Sequence, residues 1–185
     1  MHQSTPTTER AMKMKKPKIK VLITKINKTK RSTPMSKNGY IVIHWVGAVS
    51  SARNNAMYFY DKDRQASAHN FVDDNEIWQI VRTKKYASWH VGGTKVSTKG
   101  GTYYGKCKND NSIGIEMCCK KDSKGNLYIS DKTIERTASL VKWIQACYNI
   151  PDSHVVRHFD VTGKSCPGGY TTAAKWKKLK AKLTD

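Results

Sequence analysis

The sequence contains one unbroken run of β-branched and aromatic residues, Tyr40-Ile41-Val42-Ile43-His44-Trp45. A continuous apolar run, as opposed to an alternating one, is typical of a strand that is buried on both faces. Its one strongly polar side chain is the imidazole of His44, and a buried polar group needs a partner. The run therefore predicts a central strand that carries a candidate functional residue.

Shorter predicted strands and helices alternate on both sides of this run. We expect strands over residues 18–23, 66–72, 76–81, 112–117 and 155–156, and helices over 52–60, 131–148 and 171–183. A basic loop over 28–38 and a long irregular loop over 83–111 lie between them. Alternating strands and helices favour an α/β fold, with a mixed central β-sheet flanked by helices.

The composition indicates one folded domain with a strong positive charge. The 185 residues include 34 Lys and Arg against 14 Asp and Glu, which gives a formal net charge of +20. A hydrophobic content of 38% excludes a fully disordered chain. We expect a disordered basic leader over residues 1–17 and a single domain over 18–185.

The positive charge is concentrated at the two ends of the chain. Residues 1–38 carry eleven Lys and Arg and one acid, and residues 173–185 carry five Lys and one acid. Such ends are either solvated flanks or surfaces that attract a polyanion. Charge alone does not distinguish a nucleic acid from an anionic cell surface, but no zinc-finger spacing or RNA-stacking motif supports specific nucleic-acid binding.

The cysteines and the hydropathy of the chain indicate in which cellular compartment it is made. The five cysteines are odd in number and Cys118 is adjacent to Cys119, so we expect reduced thiols. No apolar run is long enough to span a membrane, and the first twenty residues lack the apolar core of a secretory signal. These features predict a chain made in the cytoplasm.

Three residues form a candidate metal site. His44 lies near the end of the apolar run. His158 and Cys166 lie in a predicted glycine-containing loop over residues 158–168, which can bring both side chains to one point. Two imidazoles and a thiolate suit Zn²⁺, and three protein ligands leave a fourth position open, as in catalytic zinc sites. The spacing alone leaves open the alternative that all three are ordinary core residues.

Three segments in this order resemble the type 2 N-acetylmuramoyl-L-alanine amidases: residues 43–45, 111–116 and 158–168. That family includes phage lysins, bacterial autolysins and cell-wall recycling amidases, and peptidoglycan recognition proteins are its relatives. The resemblance extends over roughly residues 18–182. It implies a single domain of the amidase-2 or peptidoglycan-recognition type, and hydrolysis of the amide between N-acetylmuramic acid and L-alanine in peptidoglycan.

The resemblance also implies roles for five residues. Zn²⁺ would be bound by His44, His158 and Cys166. Glu116 would be the general base that activates water, and Lys164 would stabilise the oxyanion. Without the resemblance, Glu116 would be interpreted as a surface ion-pair residue and Lys164 as one more solvated lysine.

Four further residues are candidate substrate contacts. His69 lies near a position where some phage members carry a Tyr, and His90 lies where related enzymes place a substrate-contacting His. Trp45 is a candidate groove wall or a core residue. Thr162 either contacts the stem peptide or only holds its loop.

We therefore expect a monomeric zinc amidase that degrades the bacterial cell wall, as a phage endolysin or a bacterial autolysin. Its partner would be peptidoglycan, and anionic wall polymers would attract its positive charge. It would act at the bacterial cell wall, either secreted or released at lysis. The alternatives are a non-hydrolytic peptidoglycan-binding module on the same fold and a basic nucleic-acid binder.

Overall fold

A seven-stranded mixed sheet lies at the centre of the structure, a computed structural model that describes residues 14–185. The strands in chain order are β1 (Ile19–Val21), β2 (Thr29–Lys30), β3 (Tyr40–Val49), β4 (Asn70–Val72), β5 (Ile77–Gln79), β6 (Tyr86–Ala87), β7 (Ser112–Lys121), β8 (Leu127–Tyr128) and β9 (Val155–Arg157). Their order in the main sheet is β1-β5-β4-β7-β3-β9, with β8 paired to β7, while β2 and β6 form a separate small sheet.

Parallel pairing of the long strands determines which residues become neighbours. β3 pairs in parallel with both β7 and β9. In this register His44 lies opposite Glu116, and Ile43 lies opposite Arg157, the last residue of β9. The residue after that strand, His158, therefore emerges next to His44.

The two faces of the sheet are covered differently, because side chains alternate along a strand. Ile41 and Ile43 belong to the large core that includes Ile144 and Leu179 from two helices. Val42 lies on the opposite face. His44 has the same parity as Val42, so its side chain leaves the sheet on the face away from those helices.

The described residues form four α-helices: α1 (Ala52–Tyr58), α2 (Asp131–Tyr148), α3 (His158–Thr162) and α4 (Ala173–Thr184). The side chain of Ser51 caps α1 by accepting the Asn54 N–H, and Ser130 caps α2 in the same way through Thr133 N–H. Helices α2 and α4 pack against each other on one face of the sheet.

The α/β fold class predicted from sequence is confirmed, with differences in detail. The strand expected over 66–72 begins only at Asn70, because Ser67 donates its backbone N–H to Trp89 instead. The basic loop and the long loop each contribute one strand to the small sheet. Residues 1–13 of the predicted leader lie outside the described residues. Within residues 14–185, no helix is both long and apolar enough to cross a membrane.

Candidate metal centre

Three side chains with metal-binding atoms converge where β9 ends beside β3. The ligand atoms of His44, His158 and Cys166 all lie within 4.8 Å of one another, and all three residues are buried. Cys166 Sγ lies 3.7 Å from His44 Nδ1, and the centroids of the two imidazole rings are 4.7 Å apart. Ligand atoms of a tetrahedral zinc site are about 3.5 Å apart, given bonds of about 2.0 to 2.3 Å. The donor set therefore fits a tetrahedral divalent cation.

The segment that supplies two of these ligands is more ordered than the loop predicted over residues 158–168. It begins with α3, and this helix ends at Gly163, whose φ of +79° is the left-handed conformation that favours glycine. This cap reverses the chain, and Phe159 then donates its N–H to the Cys166 carbonyl at 2.8 Å. The reversal returns Cys166 to the start of the helix, next to His158.

Arg157 holds this segment in place from the end of β9. Its guanidinium pairs with Asp160 of α3 and donates to the carbonyls of Tyr170 at 2.8 Å and Thr171 at 2.7 Å. The Asp160 carboxylate also accepts the Arg157 backbone N–H at 2.8 Å. One buried ion pair therefore links β9, α3 and the chain that follows Cys166.

The environment of the imidazoles keeps them in the form that binds metal. Burial, with His158 and Lys164 nearby, holds the pKa of His44 well below its usual value, and burial with Lys164 lowers that of His158 to about 4. Burial and the Glu116 carboxyl raise the pKa of the Cys166 thiol. Neutral imidazoles are ready ligands, whereas a thiolate here requires a nearby cation, so metal binding would release a proton.

Glu116 lies beside this cluster on β7. Its Oε1 is 4.0 Å from His44 Nδ1, and its buried Oε2 has no hydrogen-bond partner among residues 14–185. Burial raises the pKa of the carboxyl to about 8, although Lys164 opposes the shift. Since His44 is neutral, the two residues do not form an ion pair. A carboxyl group beside a candidate metal site, with one buried oxygen that makes no hydrogen bond to the described residues, is available for proton transfer.

A cavity of about 360 Å³ opens onto the cluster. The three candidate ligands, Glu116, Lys164 and His90 line it together with four Phe and Trp side chains, those of Trp45, Phe59, Phe71 and Trp89. Lys164 is exposed, so its ammonium group is free to meet a ligand in the cavity. Phe59, Phe71 and Trp89 are missing from the residues assigned from sequence. The sequence offered one indication for Trp89, since it directly precedes the candidate site residue His90.

Trp45 forms one wall of the cavity and is only partly buried. Gly168 packs directly on its ring, since a Cβ at that glycine would lie 1.9 Å from Trp45 Cζ2. The glycine after the Cys166-Pro167 bond therefore allows the ligand-bearing segment to approach the indole closely.

The other predicted substrate contacts have different locations. His90 lines the cavity, but its Nδ1 lies 3.0 Å from Nε2 of His44. Thr162 is buried and does not line the cavity; its carbonyl accepts the Val96 N–H at 2.8 Å, so it holds the long loop against α3.

His69 is fully buried and does not line the cavity. Its Nδ1 accepts the Gly114 N–H at 3.1 Å, and its Nε2 lies 3.0 Å from the Tyr86 carbonyl. Burial and neighbouring Arg31 lower its pKa to about 3. Both nitrogens are used inside the protein, so the structure does not bring His69 to the substrate side of the site.

Comparison with known proteins agrees with this geometry. A family model described as N-acetylmuramoyl-L-alanine amidase matches residues 34–169. A probable N-acetylmuramoyl-L-alanine amidase of Bacillus licheniformis is 35% identical over 136 residues, which are 69% of this chain and 35% of the relative. The amidase CwlA of Bacillus subtilis is 29% identical over 89% of this chain and 57% of its own length. The chain thus spans about a third to about half of these relatives.

Solved structures share the fold. The catalytic domain of XlyA superposes with a TM-score of 0.67 at 27% identity, covering 90% of this chain and 99% of that domain. A mutant endolysin from Bacillus subtilis superposes with a TM-score of 0.66 at 29% identity, covering 91% of this chain and 99% of that one. The family match includes all three candidate ligands and Glu116, and it extends over most of the chain. The chain therefore belongs to the type 2 N-acetylmuramoyl-L-alanine amidase family.

Proposed function

We propose that this chain is a zinc-dependent hydrolase that cuts the amide between N-acetylmuramic acid and L-alanine in peptidoglycan. The observation that carries the proposal is the convergence of His44, His158 and Cys166 beside the unpartnered carboxyl oxygen of Glu116. Three protein donors in a cavity leave room for substrate, which is typical of catalytic zinc sites. The names of the relatives support the amide as the bond that is cut.

In this proposal His44, His158 and Cys166 hold the zinc ion. When bound, zinc would supply Lewis-acid chemistry at the scissile carbonyl. Glu116, which the positive charges of Lys164 and of the bound zinc would keep ionised, would accept a proton from the attacking water as the new carbon–oxygen bond forms. It would then pass that proton to the nitrogen of L-alanine as the carbon–nitrogen bond breaks, leaving a carboxylate and a free amine.

Lys164 has a separate part in the mechanism. Its ammonium group lies at the cavity, and it lowers the pKa of Glu116, so it acts electrostatically on the same space. We assign it to the negative charge that develops on the carbonyl oxygen during attack. A positive charge at the mouth of the cavity would stabilise that negative charge electrostatically.

The charge distribution supports action at the bacterial cell wall, as a phage endolysin or an autolysin. Lys175, Lys177, Lys178 and Lys182 are exposed on α4, outside the cavity. Attraction to anionic wall polymers would raise the local concentration of the enzyme at its substrate.

Mass spectrometry of peptidoglycan digested by the zinc-loaded protein tests the proposal. We expect released stem peptides whose new amino terminus is L-alanine, together with intact glycan strands. Muropeptides cut within the glycan or within the stem peptide would contradict the assigned bond. Wall binding without release of peptides would favour a non-hydrolytic module instead.

A further inference from the structure

His44 has a hydrogen-bonded partner on the side of its ring that faces away from the metal cluster. Its Nδ1 faces Cys166 Sγ at 3.7 Å, whereas its Nε2 lies 3.0 Å from Nδ1 of His90. Nε2 of His90 in turn lies 3.0 Å from Oγ of Ser112, and that hydroxyl donates to the Lys108 carbonyl at 2.6 Å. A chain of hydrogen bonds therefore runs from the metal cluster to the backbone.

The far end of this chain fixes the direction of every bond in it. The Lys108 carbonyl can only accept, so the Ser112 hydroxyl must donate to it. Ser112 Oγ then accepts from the Nε2–H of His90, which leaves Nδ1 of His90 as the acceptor in a neutral ring. His44 must therefore carry its proton on Nε2, and its Nδ1 lone pair is free to face Cys166.

His90 is itself held rigidly. Asn109 Oδ1 accepts the backbone N–H groups of His90 at 2.9 Å and Val91 at 2.8 Å. The ring lies against Gly114 of β7, where a Cβ would come within 2.7 Å of the imidazole Cγ. Because the His90 side chain is fixed in this way, it can orient the His44 ring to which it is hydrogen-bonded.

We infer that His90 is a positioning residue, which fixes the tautomer and ring orientation of His44 so that Nδ1 is presented to the metal. The inference rests on the proposed zinc site, and it differs from the substrate contact expected from sequence. Both ring nitrogens of His90 are used inside the protein, so neither is left to bind substrate. Partners of this kind on metal-ligating histidines change metal affinity or activity by about 10- to 100-fold.

Two substitutions separate positioning from simple packing. His90→Leu removes the acceptor, whereas His90→Asn keeps an acceptor oxygen close to the position of Nδ1. In competition titrations with a zinc chelator we expect His90→Leu to weaken zinc binding by about 10- to 100-fold. His90→Asn should recover most of that loss.

A matched histidine elsewhere provides the control. The ring of His154 stacks on that of Tyr40, with centroids 4.5 Å apart, and its Nδ1 lies 3.0 Å from the Gly39 carbonyl. His154→Leu therefore removes a similar packed imidazole outside the metal cavity, and its zinc affinity should equal that of the unmodified protein. If His90→Leu does not fold, Ser112→Ala leaves His90 in place but removes the group that orients it, and it should weaken zinc binding in the same direction.

Two further measurements distinguish positioning from substrate contact. Long-range ¹H–¹⁵N spectra of the zinc-loaded protein should show His44 protonated at Nε2, with a slowly exchanging proton that is lost in His90→Leu. At saturating zinc the KM of His90→Leu should be unchanged. A raised KM with unchanged zinc affinity would overturn the inference and restore the substrate contact. Failure of the unmodified protein to bind zinc would instead overturn the metal centre itself.

Discussion

The chemistry at the scale of single residues depends on groups that are buried without a full set of partners. Within the described part of the chain, Oε2 of Glu116 has no hydrogen-bond partner, and burial raises the pKa of this carboxyl to about 8. A structural carboxylate would be expected to have its hydrogen bonds made. The arrangement is costly for folding alone, and it is explained if the group exchanges a proton with substrate and water.

Glu116→Gln should keep zinc and lose turnover. The substitution preserves size but removes the proton acceptor, so we expect kcat to fall by about 10²- to 10⁴-fold while zinc content stays unchanged. Glu135→Gln is the matched control, because Glu135 is exposed on α2. Wall digestion by Glu116→Gln at the normal rate would exclude the general-base assignment.

At the scale of elements, the site depends on short connections that reverse the chain. Gly163 ends α3 at a φ of +79°, and a Cβ there would lie 2.9 Å from the Lys99 carbonyl oxygen. Gly169 has a similar φ of +80° but open space around the same position. The two glycines share a left-handed backbone conformation and differ in crowding.

Gly163→Ala should therefore weaken both stability and zinc binding, because it displaces the turn that returns Cys166 to His158. We expect a loss of about 1 to 3 kcal/mol in the free energy of unfolding, measured by denaturant titration. Gly169→Ala, with strain but no clash, should lose less stability. Equal losses of zinc affinity in both variants would contradict the role given to the α3 cap.

Asp74 links three elements from the turn between β4 and β5. It pairs with Lys120 of β7 and accepts from Ser130 and from Thr133 at the start of α2. Burial raises the pKa of its carboxyl, but these hydrogen bonds outweigh burial and lower the pKa from 3.8 to about 2. A folded-state pKa below the unfolded value stabilises the fold fully above about pH 4, and this stabilisation is lost as the pH falls toward 2.

Asp74→Asn should accordingly lower stability by about 1 to 2 kcal/mol at pH 7. The difference from the unmodified protein should shrink as the pH falls from about 4 to 2, because the unmodified carboxyl becomes protonated there. Thermal unfolding across this pH range measures the difference in stability between the two proteins. Asp185→Asn, at an exposed position at the end of the chain, is the control. A difference that does not depend on pH would show that the ionised carboxylate contributes nothing.

For the molecule as a whole, the exposed lysines of α4 lie on an element separate from the metal centre. Attraction between such a surface and a polyanion is long-range but is screened within about 8 Å at physiological salt. Substrate cleavage and wall attraction should therefore be separable by mutation.

Replacing Lys175, Lys177, Lys178 and Lys182 together with Gln should reduce binding to intact cell walls and flatten its salt dependence. Cleavage of a small soluble muropeptide should be unchanged, because none of these side chains lines the cavity. Sedimentation with purified walls at increasing salt measures the first effect. Wall binding by this variant equal to that of the unmodified protein would contradict the electrostatic role.

The predictions from sequence succeeded where a pattern has one physical cause. The apolar run 40–45 is an interior strand, paired with β7 on one side and β9 on the other, and its continuous apolar pattern reflects burial on both faces. The small sheet was not predicted, since the two-residue strands Thr29–Lys30 and Tyr86–Ala87 are too short to show alternation. The segment after His158 was expected to be a loop, because a five-residue helix shows little periodicity.

The candidate site was only partly predictable for a related reason. His44, His158 and Cys166 were recognised from residue types that bind metal and from their motifs. The partners of His69 and His90 are backbone groups and side chains, the His44 ring among them, that folding brings close and that no local spacing indicates. A histidine that contacts substrate and one that orients a ligand are therefore alike in sequence.

The central claim is that His44, His158 and Cys166 bind one zinc ion on which hydrolysis depends, and metal analysis of purified protein tests it most directly. We predict one zinc ion per chain in the unmodified protein, and loss of zinc together with peptide release in Cys166→Ser. Full activity in protein stripped of metal, or zinc content unchanged in Cys166→Ser, would contradict the account.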